Sequence, residues 1–186
     1  MRNVGTASEV LASFARYNDG GPTRTASAQV PGGCRLSFDR DACSIVRLRS
    51  YRTTIAERRP DGTYLVGMRK YSITTSGHQS ALTSALYGAG MAPAGLAADT
   101  IQAAVPGRWG GYGIPWHATG WETVPAILFV PADDPRAVAF ALAESVRYAQ
   151  EAITRGARAG IREARRAARA AGMRRHEVAP EPLTLD

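Results

Sequence analysis

Six arginines near the end of the chain follow one another at helical spacing. They occur at steps of three, four, three, one and three residues, with Glu163 as the only acidic residue among them. At about 100° per residue, these steps place all six on one side of a helix. This arginine row consists of Arg155, Arg158, Arg162, Arg165, Arg166 and Arg169.

A row of guanidinium groups is suited to binding phosphates. Each guanidinium can donate two parallel hydrogen bonds to phosphate oxygens, a geometry that lysine cannot match. Over about 21 Å of helix, the row could follow a nucleic-acid backbone. Two other interpretations stay open: an oligomer interface in which the arginines pair with glutamates such as Glu144, Glu151 and Glu163, and a plain solvated face. In residues 136–151 acidic and basic residues are mixed, which favours the solvated face there.

A second basic surface is predicted near Arg47 and Arg49. These residues are two positions apart in an alternating segment, so on a strand they share one face of a sheet. Two-stranded ribbons can enter a major groove, and this face would extend the contact made by the arginine row. The alternative is that these are exposed hairpin arginines without a ligand. Other basic residues of the same segment are Arg52, Arg58, Arg59, Arg69 and Lys70.

A glycine-rich loop over residues 107–121 contains all three tryptophans. Trp109 and Tyr112 are candidates for stacking on the bases of a single strand, with Arg108 beside them. The same aromatic residues could instead fold back to cover an open edge of the core.

Patterns typical of catalysis are weak in this chain. His78-Gln79-Ser80 and His117-Ala118-Thr119 both have the His-x-Ser/Thr form that two-histidine phosphoesterases use for acid and base catalysis, which leaves a weak third hypothesis. The sequence contains neither a phosphate-binding loop pattern nor a Gly-x-Ser-x-Gly nucleophile motif. No acidic cluster has metal-ligand spacing. We therefore predict a non-enzymatic protein without metal or cofactor.

Composition limits the classes of protein that remain. The 186 residues carry a net charge of +7, and Lys70 is the only lysine among 23 basic residues. Such a surplus favours anionic partners through long-range attraction. No apolar run approaches the roughly 18 residues of a membrane span, so no membrane association is expected. Cys34 and Cys43 match no zinc pattern, and we predict two free thiols.

The N-terminal half predicts a helix followed by a hairpin and a second helix. Thr6 and Glu9 form a capping box before a helix, and residues 18–33 have the composition of a loop. Alternation over residues 44–58, a turn at 60–62 and a second alternating segment at 63–73 predict a β-hairpin. A capping box at Ser76-Gly77-His78-Gln79 opens a helix that ends at Gly88 and Gly90, which gives a β-β-α unit at 44–88.

The C-terminal half predicts one more strand and a long helix. Residues 94–104 predict a short helix, and the apolar segment 123–130 predicts a buried third strand. Asp134 and Pro135 start a helix that continues to about residue 172, with a bend expected near Gly156 or Gly160. The apolar side of this helix is formed by Val138, Leu142, Val146, Ala149, Ile153, Ala157, Gly160, Ile161, Ala164 and Ala168.

These elements predict an α+β fold. We expect a β-hairpin and a third strand packed with short helices, followed by a long basic C-terminal α-helix. The predicted organisation is a small α+β domain over residues 1–132, an arginine-rich amphipathic helix over 133–175 and a flexible tail over 176–186.

Two stretches of the N-terminal half resemble a known domain. They read Ser50-Tyr51-Arg52-Thr53-Thr54-Ile55-Ala56 and, after Asp61-Gly62, Lys70-Tyr71-Ser72-Ile73-Thr74-Thr75-Ser76-Gly77-His78-Gln79-Ser80-Ala81-Leu82. The pattern is similar to that of a small domain found in uncharacterised proteins of phages and plasmids. The resemblance covers residues 50–82 and implies a mobile-element setting and a β-β-α unit.

Together these patterns predict a nucleic-acid-binding accessory protein of a phage or plasmid. The expected partner is DNA or RNA, bound through backbone phosphates. A homo-oligomer that assembles through the C-terminal helix is the alternative. The expected location is the host cytoplasm, or the virion if the gene belongs to a phage.

Overall fold

The protein is described here by a computed structural model. The structure describes residues 2–4, 6–18, 24–27, 36–51, 53–106 and 118–170; for 2–4, 24–27, 103–106 and 118–121 it describes the backbone alone. The chain divides into two compact units, Met1–Ala141 and Leu142–Asp186.

The described residues form eight strands and three helices. The first unit holds the strands and two short helices, and the third helix begins in that unit and accounts for the described part of the second. In chain order the elements are β1 (Arg2–Val4), α1 (Ala7–Ala15), β2 (Arg24–Ser27), β3 (Leu36–Arg40), β4 (Val46–Ser50), β5 (Thr53–Arg58), β6 (Tyr64–Gly67), α2 (Ile73–Gly88), β7 (Met91–Pro106), β8 (Ala118–Pro131) and α3 (Pro135–Ala170).

The strands form one sheet in the order β1-β2-β3-β4-β5-β6-β8-β7. All neighbours pair antiparallel except β1 and β2, which are parallel. Residues two apart on a strand share a face, so the alternating burial of β4 places Val46, Leu48 and Ser50 inward and Arg47 and Arg49 outward.

The main core lies between one face of the sheet and the helices α1 and α2. Phe14 of α1 packs its ring 5.7 Å from Phe38 and 5.4 Å from Tyr64, measured between ring centroids. Leu82 and Leu86 of α2 are completely buried in the same cluster. The spacing of four residues puts these two leucines on one side of the helix, which is why α2 covers the sheet with that side.

A second, smaller core cluster involves the opposite face of the sheet. Leu65 lies between Tyr64 and Val66 on β6 and therefore points away from the main core. It packs with Ile101 of β7 and with Val124 and Ala126 of β8.

The α+β fold and several predicted element boundaries are confirmed. Thr6 and Glu9 form the capping box that opens α1. The turn between β5 and β6 contains Gly62 at φ +85°. Helix α3 starts at Pro135, where the Asp134 carboxylate accepts a hydrogen bond from the Arg136 amide.

The prediction of one strand over residues 44–58 was wrong. This segment forms two strands, β4 and β5, with a turn at Tyr51 between them, so residues 44–88 contain three strands before the helix. Tyr51 adopts a left-handed conformation with φ 56° in this turn. Tyrosine is not a residue that marks such turns. The sign of the break in the sequence is a change of phase, because the larger side chains pass from even positions at Val46 and Leu48 to odd positions at Tyr51 and Ile55.

The predicted start of α2 and the second strand also need correction. The helix starts at Ile73, not at Ser76, and Ser72 is its N-cap, with Ser72 Oγ accepting a hydrogen bond from the Thr75 amide. Strand β6 ends at Gly67, although the predicted strand ran to residue 73. Ser72 stands three residues before Thr75, which is the spacing between an N-cap and the amide that its side chain accepts from. The prediction took Ser76, four residues later, as the N-cap and therefore placed the start of the helix too late.

Two further segments differ from their predictions. Residues 94–104 belong to strand β7 and are not helical, because this alanine-rich segment pairs with β8 along most of its length. Residues 24–27, within the predicted loop, pair with β3 as strand β2. In both cases pairing with a distant strand overrides local preference.

Helix α3 continues without interruption through Gly156 and Gly160. The bend expected near these glycines stays a prediction. Within the described ranges, no helix combines the length and apolar character needed to cross a membrane.

Candidate nucleic-acid interface

All six members of the arginine row lie on α3 and are exposed. Their positions span an arc of about 100° around the helix axis, as the spacing predicted. The side chain of Arg155 is 72% exposed. The structure therefore presents the row as a single basic strip on one side of a helix.

Most of the row has no carboxylate partner. Arg155 has one carboxylate nearby, with Nη2 4.0 Å from Glu151 Oε2. Nε of Arg162 donates to the Arg158 carbonyl at 3.2 Å, which leaves its terminal nitrogens uncommitted. Among the residues that the structure describes, no carboxylate lies within ion-pair distance of the other five arginines of the row.

The preceding two turns of the helix have a different electrostatic character. Arg147 lies between Glu144 and Glu151, at 2.6 and 2.7 Å from their carboxylates, and its guanidinium stacks 4.6 Å from the Tyr148 ring. The hydrogen bonds that Arg147 donates to the Glu144 carboxylate raise the pKa of Arg147, and the same bonds lower the pKa of Glu144. Along the described part of α3, the pairing of arginines with glutamates therefore ends at Arg155.

Arg47 is on the outer sheet face as predicted, but its guanidinium is bound within the chain. Its Nη1 lies 2.5 Å from Asp41, and its Nε donates at 3.0 Å to Glu57, its cross-strand neighbour on β5. Partial burial opposes ionisation of Asp41, but hydrogen bonds from the Ile45 amide and from Arg47 outweigh it, and the pKa of Asp41 is lowered.

Arg49 forms an ion pair with Asp39 of the neighbouring strand β3. Arg47 and Arg49 are therefore held by three carboxylates, those of Asp39, Asp41 and Glu57. Two positive and three negative charges leave this face without a basic surplus, so the pair contributes little attraction for a polyanion.

Other arginines of the first unit are similarly engaged. Arg59 pairs with Asp99 at 2.6 Å, and Arg69 pairs with Glu122. Arg58 is buried and stacks over the Tyr17 ring at 5.5 Å. The predicted basic hairpin surface is thus largely compensated by carboxylates of other elements and turns, six to 53 residues away in sequence.

The predicted stacking residues Trp109 and Tyr112 lie outside the described residues, as do Arg108, Arg52, His117 and Cys34. Cys43 is an exposed free thiol.

His78 belongs to a hydrogen-bonded cluster that joins α2 to the β4–β5 turn. Its Nδ1 lies 2.8 Å from Ser50 Oγ, and Ser50 Oγ also bonds to Thr75 Oγ1 at 3.2 Å. Thr75 Oγ1 accepts a further bond from Ser72. Burial lowers the pKa of His78.

The Ser50–His78 pair has the contact distance of a nucleophile and its base. However, Ser50 is completely buried, and a serine that no substrate can reach cannot act as a nucleophile. The neighbouring Gln79 amide donates to the carbonyls of Gly67 and Arg69, so the motif residues tie α2 to the sheet. This structural role was not predicted, although the Ser, Thr and His residues of the motif at 72–79 are its signal in the sequence.

Metal binding has no candidate site in the described part of the chain, where no three His, Cys, Asp or Glu side chains lie together as a metal ion would need. In comparisons with known proteins, no family model, no curated protein and no solved structure matches this chain.

Proposed function

We propose that this protein binds nucleic acid without catalysing a reaction, and that the arginine row of α3 contacts the backbone phosphates. The proposal rests mainly on one observation: five exposed arginines on one side of a helix have no carboxylate partner among the described residues. A polyanion supplies the negative charges that this strip lacks.

The contrast with four arginines on or beside strands β4–β6 supports this assignment. Arg47, Arg49, Arg59 and Arg69 each have a carboxylate partner in the first unit. Five arginines without a carboxylate partner among the described residues are instead gathered on one side of α3. Arg47 and Arg49, predicted as additional contacts, have a secondary place in the proposal because their charges are compensated.

Binding of this kind would depend little on base sequence. Residues 155–170 contain no Asn or Gln, the side chains that read adenine edges most directly. Arginine contacts to phosphates fix position on the backbone but carry no sequence information. We propose a role as an accessory protein of a phage or plasmid, a setting that rests on the motif resemblance of residues 50–82.

The decisive experiment changes Arg158, Arg162, Arg165 and Arg169 together to Gln. Because glutamine keeps good helix propensity, helicity by circular dichroism should be unchanged. Affinity for a labelled duplex DNA or RNA should fall on the order of 100-fold or more at low salt. A folded variant with the affinity of the parent protein would refute the proposal.

A matched pair of double variants separates the row from net charge. Arg162 and Arg166 to Gln removes two charges from the row, and Arg136 and Arg147 to Gln removes two charges from ion-paired positions on the same helix. The first variant should lose affinity by far more than the second. Equal losses would show that only overall charge matters.

A structural or assembly role is the second candidate, favoured by the exposed apolar side of α3. That side lies opposite the arginine row, so the two functions do not compete for one surface.

A further inference from the structure

The second unit exposes a stripe of large apolar side chains. Leu142 is 67% exposed, Val146 51%, Ile153 72% and Ile161 39%. A helix with such a stripe normally buries it against another element. The helix segment 142–168 is about 40 Å long, close to four heptads, which is enough for a helix pair.

The positions of the stripe follow the same series of steps whether they are counted from its N-terminal or from its C-terminal end. Its eight positions are separated by steps of four, three, four, four, four, three and four residues, a series that is symmetric about Arg155. Its members are Leu142, Val146, Ala149, Ile153, Ala157, Ile161, Ala164 and Ala168.

Side-chain size follows the same symmetry in a complementary way. Each large residue has an alanine at the position equally distant from Arg155 on the other side. The four combinations are Leu142 with Ala168, Val146 with Ala164, Ile161 with Ala149, and Ile153 with Ala157.

We infer that two copies of the chain pair through this stripe as antiparallel α3 helices, about a two-fold axis at the level of Arg155. In that arrangement every large side chain of one copy faces an alanine of the other, so the helices can approach evenly along their length. Alternating large and small residues across facing positions is how helix layers interdigitate. A two-fold pair is also self-complementary, since each contact occurs twice.

Parallel pairing would lack this fit. It would place Leu142, Val146 and Ile153 against their own copies in one half and alanines against alanines in most of the other. The helices would be held apart at one end and leave gaps at the other, which is costly because packing at protein interfaces is dense.

Charge distribution favours the same antiparallel arrangement. Residues 142–154 contain two glutamates and one arginine, a net charge of −1, whereas residues 156–168 contain four arginines and one glutamate, a net charge of +3. Antiparallel pairing brings the acidic half of one copy beside the basic half of the other. Parallel pairing would bring the two basic halves together, which costs free energy.

The dimer is compatible with the proposed function but independent of it. The centre of the arginine row lies about 150° around the helix from the centre of the stripe. Each copy would therefore keep its row exposed. Dimerisation is measured without nucleic acid, so its failure and the failure of nucleic-acid binding are separate results.

The first test is sedimentation equilibrium of the full chain and of two variants in which one alanine of α3 is replaced by glutamate. We expect the parent protein to sediment at twice its 19.8 kDa mass. Ala157→Glu places a charge at the centre of the stripe and should return the protein to 19.8 kDa. The same substitution at Ala159, on another side of the helix, should leave the dimer intact.

A monomeric parent protein over the accessible concentration range would overturn the inference, as would a dimer that survives Ala157→Glu. Equal disruption by both substitutions would also overturn it, because the stripe would not be the interface. Circular dichroism of each variant confirms that α3 still forms.

Cysteine cross-linking tests the direction of pairing. Both native cysteines are changed to Ser, Val146→Cys is introduced in one preparation and Ala164→Cys in another, and the two are mixed and oxidised mildly. We expect the mixed disulfide between position 146 and position 164 to predominate over either symmetric product. Predominance of symmetric 146–146 and 164–164 products would show a parallel pair and refute the proposed arrangement.

Discussion

At the scale of single residues, the arginines of this protein fall into two groups that the sequence does not distinguish. Arg47 contacts two carboxylates, while the arginines of α3 after Arg155 have no carboxylate partner among the described residues. An ion-paired arginine must give up its partner before it can bind a phosphate, whereas an unpaired one gives up only water. Exposure and lack of a partner therefore identify the candidate contacts better than residue type.

The cluster of Ser50, Thr75 and His78 shows how a motif with catalytic residue types can be structural. The completely buried Ser50 hydroxyl is hydrogen-bonded to the imidazole of His78, and it also donates to the hydroxyl of Thr75. Buried polar groups of this kind are costly unless they are bonded to one another. The proposed phosphoesterase pairing of His78 with His117 stays a prediction, because His117 lies outside the described residues.

His78 should make stability depend on pH. Because burial lowers its pKa in the folded state, the unfolded chain takes up the proton first as pH falls. The contribution of the neutral imidazole is therefore complete above a pH of about 6.5 and is lost progressively below it, towards the lower pKa of the folded state. The measurement is the free energy of unfolding by urea between pH 8 and pH 5 (roughly the range before carboxylates titrate).

His78→Asn is the control, because it keeps a polar group near the position of Nδ1 but cannot titrate. The variant should lose less stability than the parent protein over this pH interval, while the other histidines contribute equally to both. Identical pH profiles would contradict the assignment.

At the scale of elements, glycines in different environments predict opposite effects of the same substitution. Gly77 lies in α2 with no atom within 4 Å of an added Cβ, whereas a Cβ on Gly67 of β6 would lie 2.7 Å from Ile101 Cδ1. Ile101 is completely buried and has little room to move.

Gly77→Ala should stabilise the protein by about 0.5–1 kcal/mol, because alanine restricts the unfolded chain and favours helix. Gly67→Ala should destabilise it by about 1–3 kcal/mol through overpacking. Urea unfolding of both variants measures the difference. Equal effects of the two substitutions would show that the packing around Ile101 is not as described.

Helix α3 illustrates how an element can be recognised from sequence while its surroundings are not. Its start at Pro135 and its amphipathic pattern were predicted, and the two glycines within it did not interrupt it. The exposure of both its basic and its apolar sides in the second unit is visible only in the structure.

At the scale of the whole molecule, most of the net positive charge of the sequence falls in one segment. Residues 155–170 hold six arginines and one glutamate, a net +5 of the total +7. Long-range attraction of a polyanion is therefore directed towards α3.

Nucleic-acid binding should depend steeply on salt. If all six arginines of the row contact phosphates of duplex DNA, the logarithm of the association constant should fall with the logarithm of salt concentration at a slope of about −5. Fluorescence anisotropy titrations at several sodium chloride concentrations give this slope. The variant with four arginines changed to Gln should reduce it to about −2. A parent slope near zero would mean that the row does not neutralise phosphates.

Local patterns determined much of what this protein is. The capping box of α1, the turn at Gly62, the start of α3 and the one-sided placement of its arginines all follow from residues within a few positions of each other. These features depend on backbone geometry and short-range hydrogen bonds, which a sequence displays directly.

Tertiary structure alone decided which strands pair and which charges are free. Residues 94–104 form a strand because β8 lies beside them, and the charge of Arg49 is neutralised by Asp39 of the neighbouring strand β3. Such outcomes depend on partners from other elements of the fold. A local conformational preference of about a fraction of a kilocalorie per mole is overridden when a neighbouring strand supplies hydrogen bonds. The charge of an arginine is likewise compensated only when the sheet brings a carboxylate beside it.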